Sequence, residues 1–292
     1  MKGYQQMKKI QINWKVYFDN SCKQEDRWGY YETAKGELYV VMDGVSNHDG
    51  TRTGADVVQL IDERLSGESK NIRYRKDLIE LLRTINMKST EINAGAYAAI
   101  AGIYRRGNKI YAFSAGDVSI IAKKANGKLI QVLPLDLRMP YVDAERLARA
   151  EIGATVNNIL VTEENLDQRI QQYMHHGLCN AVGMGEGFVL HDLNFSARDG
   201  TALLLATDGV TDPFMAPMID AGSIKLSDAA KLYQVFYEGD TAEAAVKALE
   251  NIIWNTQVVE KKRIKQDDRT AMFIFMTHFQ QTLEHKKAGL LE

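Results

Sequence analysis

The order of its periodic segments is what most constrains this chain. Strand-like runs come in hairpins and helix-like runs in pairs, without the strand–helix–strand alternation that a parallel sheet requires. Residues 9–17 alternate apolar and polar, and 28–32 and 37–42 flank a short Ala-Lys-Gly turn, which predicts a hairpin. Residues 54–65 carry Val57, Val58, Leu60, Ile61 and Leu65 at helical spacing, and 78–92 read as a second helix. Residues 97–104 and 109–114 predict another hairpin about Arg-Arg-Gly-Asn, and 118–123 is expected to continue that sheet around an Ala-Asn-Gly turn. The stretch 134–187 is less regular, with one helix expected at 142–150. A short apolar strand at 201–206, helices at 228–237 and 241–254, and a last strand at 270–276 follow, with Ile252, Ile253 and Trp254 read as core. The expected fold class is α+β with antiparallel sheets.

No internal repeat appears, and only 4 prolines in 292 residues leave no hinge, so one domain is expected, with a loose polar tail at 279–292. A formal net charge of −2 provides no global field for nucleic acid or an anionic membrane surface. No apolar run approaches the roughly 18 residues of a membrane-spanning helix, and residues 1–12 lack the apolar centre of a secretion signal. Cys22 and Cys179 have neither metal-ligand spacing nor a disulfide framework, so a reducing cytoplasm is the expected location.

The chemistry lies where apolar runs meet carboxylates. Residues 38–42 run into Asp43-Gly44, 110–115 into Gly116-Asp117, and 202–206 into Thr207-Asp208-Gly209. Asp267-Asp268 precedes the strand at 270–276, and Glu25-Asp26 precedes the strand at 28. Any one Asp-Gly after a strand is ordinarily only a turn. Four separate strands with an aspartate at an end or edge suggest more, because gathering several like charges is costly unless a cation is present. All-oxygen ligands suit magnesium or manganese, and no Cys/His set competes. His175-His176 has no partner at ligand spacing, and the glycines at 183, 185 and 187 lack the Lys-Ser/Thr of a phosphate loop. The basic run 261–265 reads as a solvated face.

The ordered set Glu25-Asp26, Asp43-Gly44-Val45, Gly116-Asp117, Asp208-Gly209-Val210-Thr211-Asp212 and Asp267-Asp268-Arg269-Thr270 resembles the PPM family, the type 2C protein serine/threonine phosphatases. The resemblance spans about residues 10–276. It implies a sandwich of two antiparallel β-sheets flanked by helix pairs, in α-β-β-α layers. It also implies two Mn2+ or Mg2+ ions, with a weaker third. Asp43 would bridge both metals, Asp208 and Asp267 would complete one site, and Glu25 and the carbonyl of Gly44 would help complete the other. Asp117 would hold the third ion, Asp26 would act on a bound water from behind the ligands, and Asp268 would support them in the same way. A bridging hydroxide would attack phosphorus without a covalent enzyme intermediate, His48 would be the general acid, and residues 134–179 would include a flap. The implied partners are a phosphorylated protein substrate and a cognate kinase or its targets.

This chain departs from the family pattern. Where the family has a phosphate-gripping Arg, position 21 is Ser, leaving Lys23 and Arg27 as candidate phosphate ligands, although strand alternation cannot aim both at one site. The usual Gly-Gly-His reads Ser46-Asn47-His48, and Val118 follows Asp117 in place of Ser. A haloacid-dehalogenase mechanism needs an Asp two residues before the Asp of Asp-Gly, where this chain has Val41 and Ala206. The alternative left open is a catalytically weak, pseudophosphatase-like binding or regulatory module.

Overall fold

A computed structural model describes residues 10–46, 51–93, 95–139, 141–156, 159–198, 201–215, 219–259 and 267–278. In chain order these contain β1 (Ile10–Asp19), β2 (Asp26–Glu32), β3 (Glu37–Val45), α1 (Gly54–Glu68), α2 (Arg75–Ile92), β4 (Tyr97–Arg106), β5 (Lys109–Ala115), β6 (Ser119–Lys123) and β7 (Leu129–Gln131). Next come α3 (Tyr141–Ala150), β8 (Thr155–Val156), β9 (Ile159–Leu160), α4 (Leu166–His176), β10 (His191–Ser196) and β11 (Thr201–Ala206). The remainder is α5 (Asp208–Thr211), β12 (Gly222–Ser223), α6 (Ala230–Glu238), α7 (Ala242–Trp254) and β13 (Arg269–His278).

The strands form a six-stranded sheet in the order β1-β13-β11-β6-β7-β12 and a five-stranded sheet in the order β10-β5-β4-β3-β2. Every pairing is antiparallel. Period-two alternation explains why the central strands are apolar throughout. On β3, Leu38, Val40 and Met42 pack against Val57, Val58, Ile61 and Leu82 of α1 and α2. Tyr39 and Val41 point the other way and meet Leu203, Leu205, Met272 and Ile274 of the six-stranded sheet. On that sheet's outer side, Leu204 and Phe273 meet Leu232, Phe236 and Leu249 of α6 and α7. Two packed helix layers thus enclose two sheets, and each side chain so buried contributes roughly 1.5–3 kcal/mol relative to exposure. This is the four-layer α-β-β-α architecture that the family resemblance implies.

Several local expectations are corrected. Residues 118–123 do not continue the β4–β5 sheet. After Gly116-Asp117 the chain crosses to the other sheet, where β6 pairs with β11 and β7. The stretch 134–187 holds a second helix, α4, which ends on His175-His176 and packs on α3 through Ala144, Ala148, Leu166 and Ile170. Arg169 pairs with Glu151 at 2.6 Å, and the Tyr173 hydroxyl donates to the same carboxylate at 2.6 Å. The strand β10 was also not anticipated. Ile252 and Ile253 are buried as expected, but Trp254 is 57% exposed, because one further residue rotates a helix position by about 100°. Among the described residues no helix is long and apolar enough to cross a membrane. The basic run 261–265 and the tail 279–292 lie outside the described residues.

Candidate active site

Strand register brings the first two motifs together. In the β2–β3 ladder Asp26 lies opposite Asp43, and β4 places Ala99 on the other side of Asp43. The Asp26 carboxylate points toward the six-stranded sheet. Its Oδ2 accepts hydroxyl hydrogen bonds from Thr207 at 2.9 Å and Thr270 at 2.8 Å. Thr207 precedes Asp208 and Thr270 follows Asp267-Asp268, so one buried carboxylate fastens the motif-bearing ends of three strands. The two threonines are themselves joined: the Thr270 N–H donates to the Thr207 hydroxyl at 3.0 Å.

Asp268 is buried and organises the loop before β2. Its Oδ1 accepts the backbone N–H groups of Cys22 and Lys23, both at 2.9 Å, and its Oδ2 accepts that of Glu25 at 2.8 Å. Within this loop Gln24 takes φ +62°, a left-handed conformation unusual for a side chain of its kind. Glu25 Oε1 accepts the Gly54 N–H at 3.1 Å and the Ser46 hydroxyl, while the Gly44 N–H donates to the Glu25 carbonyl at 3.1 Å. The start of α1, capped by Thr53 and Asp56, sits directly on the end of β3. A Cβ on either Gly44 or Gly54 would overlap the other's backbone, so the contact needs glycine on both sides. At Gly209 a Cβ would overlap the Asp268 carbonyl oxygen.

The electrostatics reflect crowding. Burial first, then Asp26, Asp208, Asp117 and Asp267, hold the Asp43 carboxyl well above the usual carboxylate range. Burial pushes Asp26 up to about 7, against the lowering effect of the Thr270 and Thr207 hydroxyls and with further raising by Asp268 and Asp208. Asp26, Asp43, Asp117, Asp208, Asp267 and Asp268 therefore act on this one locus. An all-oxygen, strongly anionic donor set of this kind suits a hard divalent cation. Among the described residues the carboxylates do not close into a three-ligand cage, consistent with mutual repulsion between like charges.

Of the two candidate phosphate ligands, only Lys23 lies at this locus, its ammonium 3.0 Å from Asp267 Oδ1. Arg27 does not: its guanidinium pairs with Asp62 of α1 at 2.9 Å. Alternation is the reason, since Asp26 faces the opposite sheet and the next residue must face the helices. The Ser21 hydroxyl donates to Asp19 at 2.6 Å. His48 lies outside the described residues.

Sequence reasoning missed one network beside the site. Asp136 Oδ2 accepts the Gly116 N–H and the Asn180 amide, both at 2.8 Å, and its Oδ1 lies 2.8 Å from His191 Nε2. Asn180 in turn clasps both backbone groups of Val189. The turn bearing Asp117, the base of the 134–179 segment and β10 thus share one carboxylate. The available signal was a lone Asp between Leu135 and Leu137, an apolar setting in which a charge needs partners.

Two face-packed antiparallel sheets, a helix pair on each outer face and an acidic cluster at the strand ends define the type 2C phosphatase fold, and this chain has it. Solved structures with this fold include Stp1, a serine/threonine phosphatase from Staphylococcus aureus, at 13% identity and TM-score 0.62, over 94% of this chain and 99% of that one. The catalytic domain of the serine/threonine phosphatase PstP, in complex with two manganese ions, aligns at 17% identity and TM-score 0.58, over 92% and 99%. PppA, described as a key regulatory component of T6SS in Pseudomonas aeruginosa, aligns at 19% identity and TM-score 0.59, over 91% and 97%. By sequence alone the chain matches no family model and no curated protein.

Proposed function

We propose that this protein is a metal-dependent phosphatase acting on phosphoserine or phosphothreonine in proteins. The observation that carries this reading is the convergence at the end of β3, where Asp43 lies opposite Asp26 and Asp208, Asp117 and Asp267 are near enough to act on it. On the donor chemistry, Asp43, Asp208, Asp267, Glu25 and the Gly44 carbonyl would hold a pair of Mn2+ or Mg2+ ions, and Asp117 a weaker third. When bound, such ions supply an activated water and offset phosphoryl charge.

The chain's own residues contribute the rest. Asp26 accepts two hydroxyl hydrogen bonds, which leaves it a fixed acceptor beside the ligands rather than a mobile one. Asp268 holds the N–H groups of Cys22, Lys23 and Glu25 and so fixes where Glu25 and Lys23 present themselves. Lys23, paired with Asp267, would turn its ammonium toward a phosphate oxygen once Asp267 is occupied. His48, by its place in the motif, would protonate the leaving oxygen. The segment 134–179 supports a role in substrate choice, being a small helical unit with its own core inserted between strands.

The test is hydrolysis of p-nitrophenyl phosphate and of a phosphothreonine peptide with added manganese. Activity should vanish with chelator, and Asp43→Ala and Asp208→Ala should each lower kcat by roughly 10²-fold or more. Full turnover in chelated protein would defeat the reading. Position 21 supports a second one: with Ser in place of a phosphate-gripping Arg, the chain could serve as a weakly catalytic binding or regulatory module. That reading requires manganese to leave turnover at the level of the Asp43→Ala variant.

A further inference from the structure

The opposite end of the five-stranded sheet carries a second candidate site. The β4–β5 hairpin and the first turn of α2 enclose a groove of about 520 Å³. It lies seven residues along β4 from Ala99, the neighbour of Asp43, or about 23 Å at 3.3 Å per residue. Arg75, Lys76, Arg106 and Lys109 line it, and among the described residues no acidic side chain does. Lys76, Arg106 and Lys109 are exposed and make no ion pair among the described residues. Arg75 pairs with Asp192 at the edge.

Tyr111 lines the groove with 4% of its surface exposed, and its buried hydroxyl has no hydrogen-bond partner. Arg75 and Asp192 flank that hydroxyl without closing on it at bonding geometry. Burial pushes its pKa up to about 12, so it keeps its proton at neutral pH. With Asp192 beside Arg75, that hydroxyl belongs to the wall of the groove, and the exposed cations Lys76, Arg106 and Lys109 are what the groove offers a ligand.

We propose that this groove docks an acidic segment of a partner polypeptide, with carboxylates meeting Arg106, Lys109 and Lys76. The aromatic faces argue against a nucleotide or single-stranded nucleic acid. Lys35 and Arg106 lie over the Tyr74 ring at 4.8 and 5.1 Å, and Arg75 over the Tyr111 ring at 5.0 Å, so cations occupy the surfaces on which bases would stack. Beyond Lys76 and Ile79 the groove opens into a second depression of about 850 Å³ along α2. There Arg83 and Lys88 lie between Glu80 and Glu91, a mixed pattern that suits a peptide better than a uniformly charged phosphate backbone.

Binding is read without turnover, so the test is independent of the phosphatase proposal. A fluorescein-labelled 12-residue Glu/Gly peptide is titrated with the full chain and followed by anisotropy, with a Ser/Gly peptide and single-stranded DNA of equal charge as comparators. The Glu/Gly peptide should bind at least tenfold tighter than either comparator. R106E/K109E should weaken it at least tenfold. Circular dichroism confirms that the double variant folds; if it does not, Arg106→Gln and Lys109→Gln should each weaken binding about threefold. Absent binding, equal binding of the DNA, or variants that bind like wild type would each overturn the proposal.

Discussion

Replacing Asp26 with Asn isolates the strain that the acidic cluster places on the protein. Folded Asp26 keeps its proton up to about pH 7, mainly because it is buried, whereas an unfolded aspartate releases it near pH 3.9. Between those values the folded state binds more protons than the unfolded one, so stability falls as pH rises. The fall is about 1.4 kcal/mol per unit over about three units, or about 4 kcal/mol in all. Below about pH 4 the penalty is absent, and above about pH 7 it is complete. An asparagine Oδ1 can still accept the Thr207 and Thr270 hydroxyls, so the substitution removes the charge and keeps those hydrogen bonds. In chelator at pH 8, Asp26→Asn should therefore be the more stable protein by about 4 kcal/mol, a rise in Tm of about 8–16 °C for a chain of this size. At pH 4 the two proteins should melt together, and manganese at pH 8 should narrow the gap by stabilising the ionised cluster of the wild type. Thermal melts followed by circular dichroism at pH 4, 6 and 8 measure this. If Asp26→Asn melts at or below wild type at pH 8 in chelator, or if the difference is independent of pH, the assignment of strain to this carboxylate is wrong.

Gly209→Ala should cost about 1–3 kcal/mol of stability, because the new Cβ would overlap the Asp268 carbonyl oxygen; an unchanged urea midpoint would show that the backbone yields there without cost. Ser21→Arg should lower KM for p-nitrophenyl phosphate about tenfold, or about 1.4 kcal/mol, with kcat nearly constant, since a bidentate cation strengthens ground-state grip. An unchanged KM with manganese binding intact would mean that Lys23, already beside Asp267, fills the role alone.

Local periodicity by itself determined much of this protein. The alternating or wholly apolar runs that became β1 to β5, β11 and β13, and the period-3.6 runs that became α1, α2, α6 and α7, were legible because each is set by neighbours a few residues away. The aspartates at strand ends were legible for the same reason, as abrupt stops in apolar runs. Tertiary structure decided which sheet β6 joins and that α4 forms, because packing against distant elements outweighs weak local signals in short polar stretches. It also decided the site's supporting contacts. Asp26 finds Thr207 across 181 residues, and Asp268 collects the N–H groups of Cys22, Lys23 and Glu25 across 243 to 246. Alternation in the sequence says that Asp26 and Arg27 face opposite ways. Only the stacking of the second sheet on one face of β2, and of α1 on the other, sends Asp26 toward the carboxylates and Arg27 to Asp62. The Asp136–His191–Asn180 contacts had no periodic signature at all, since irregular segments become neighbours only when the strands between them have paired.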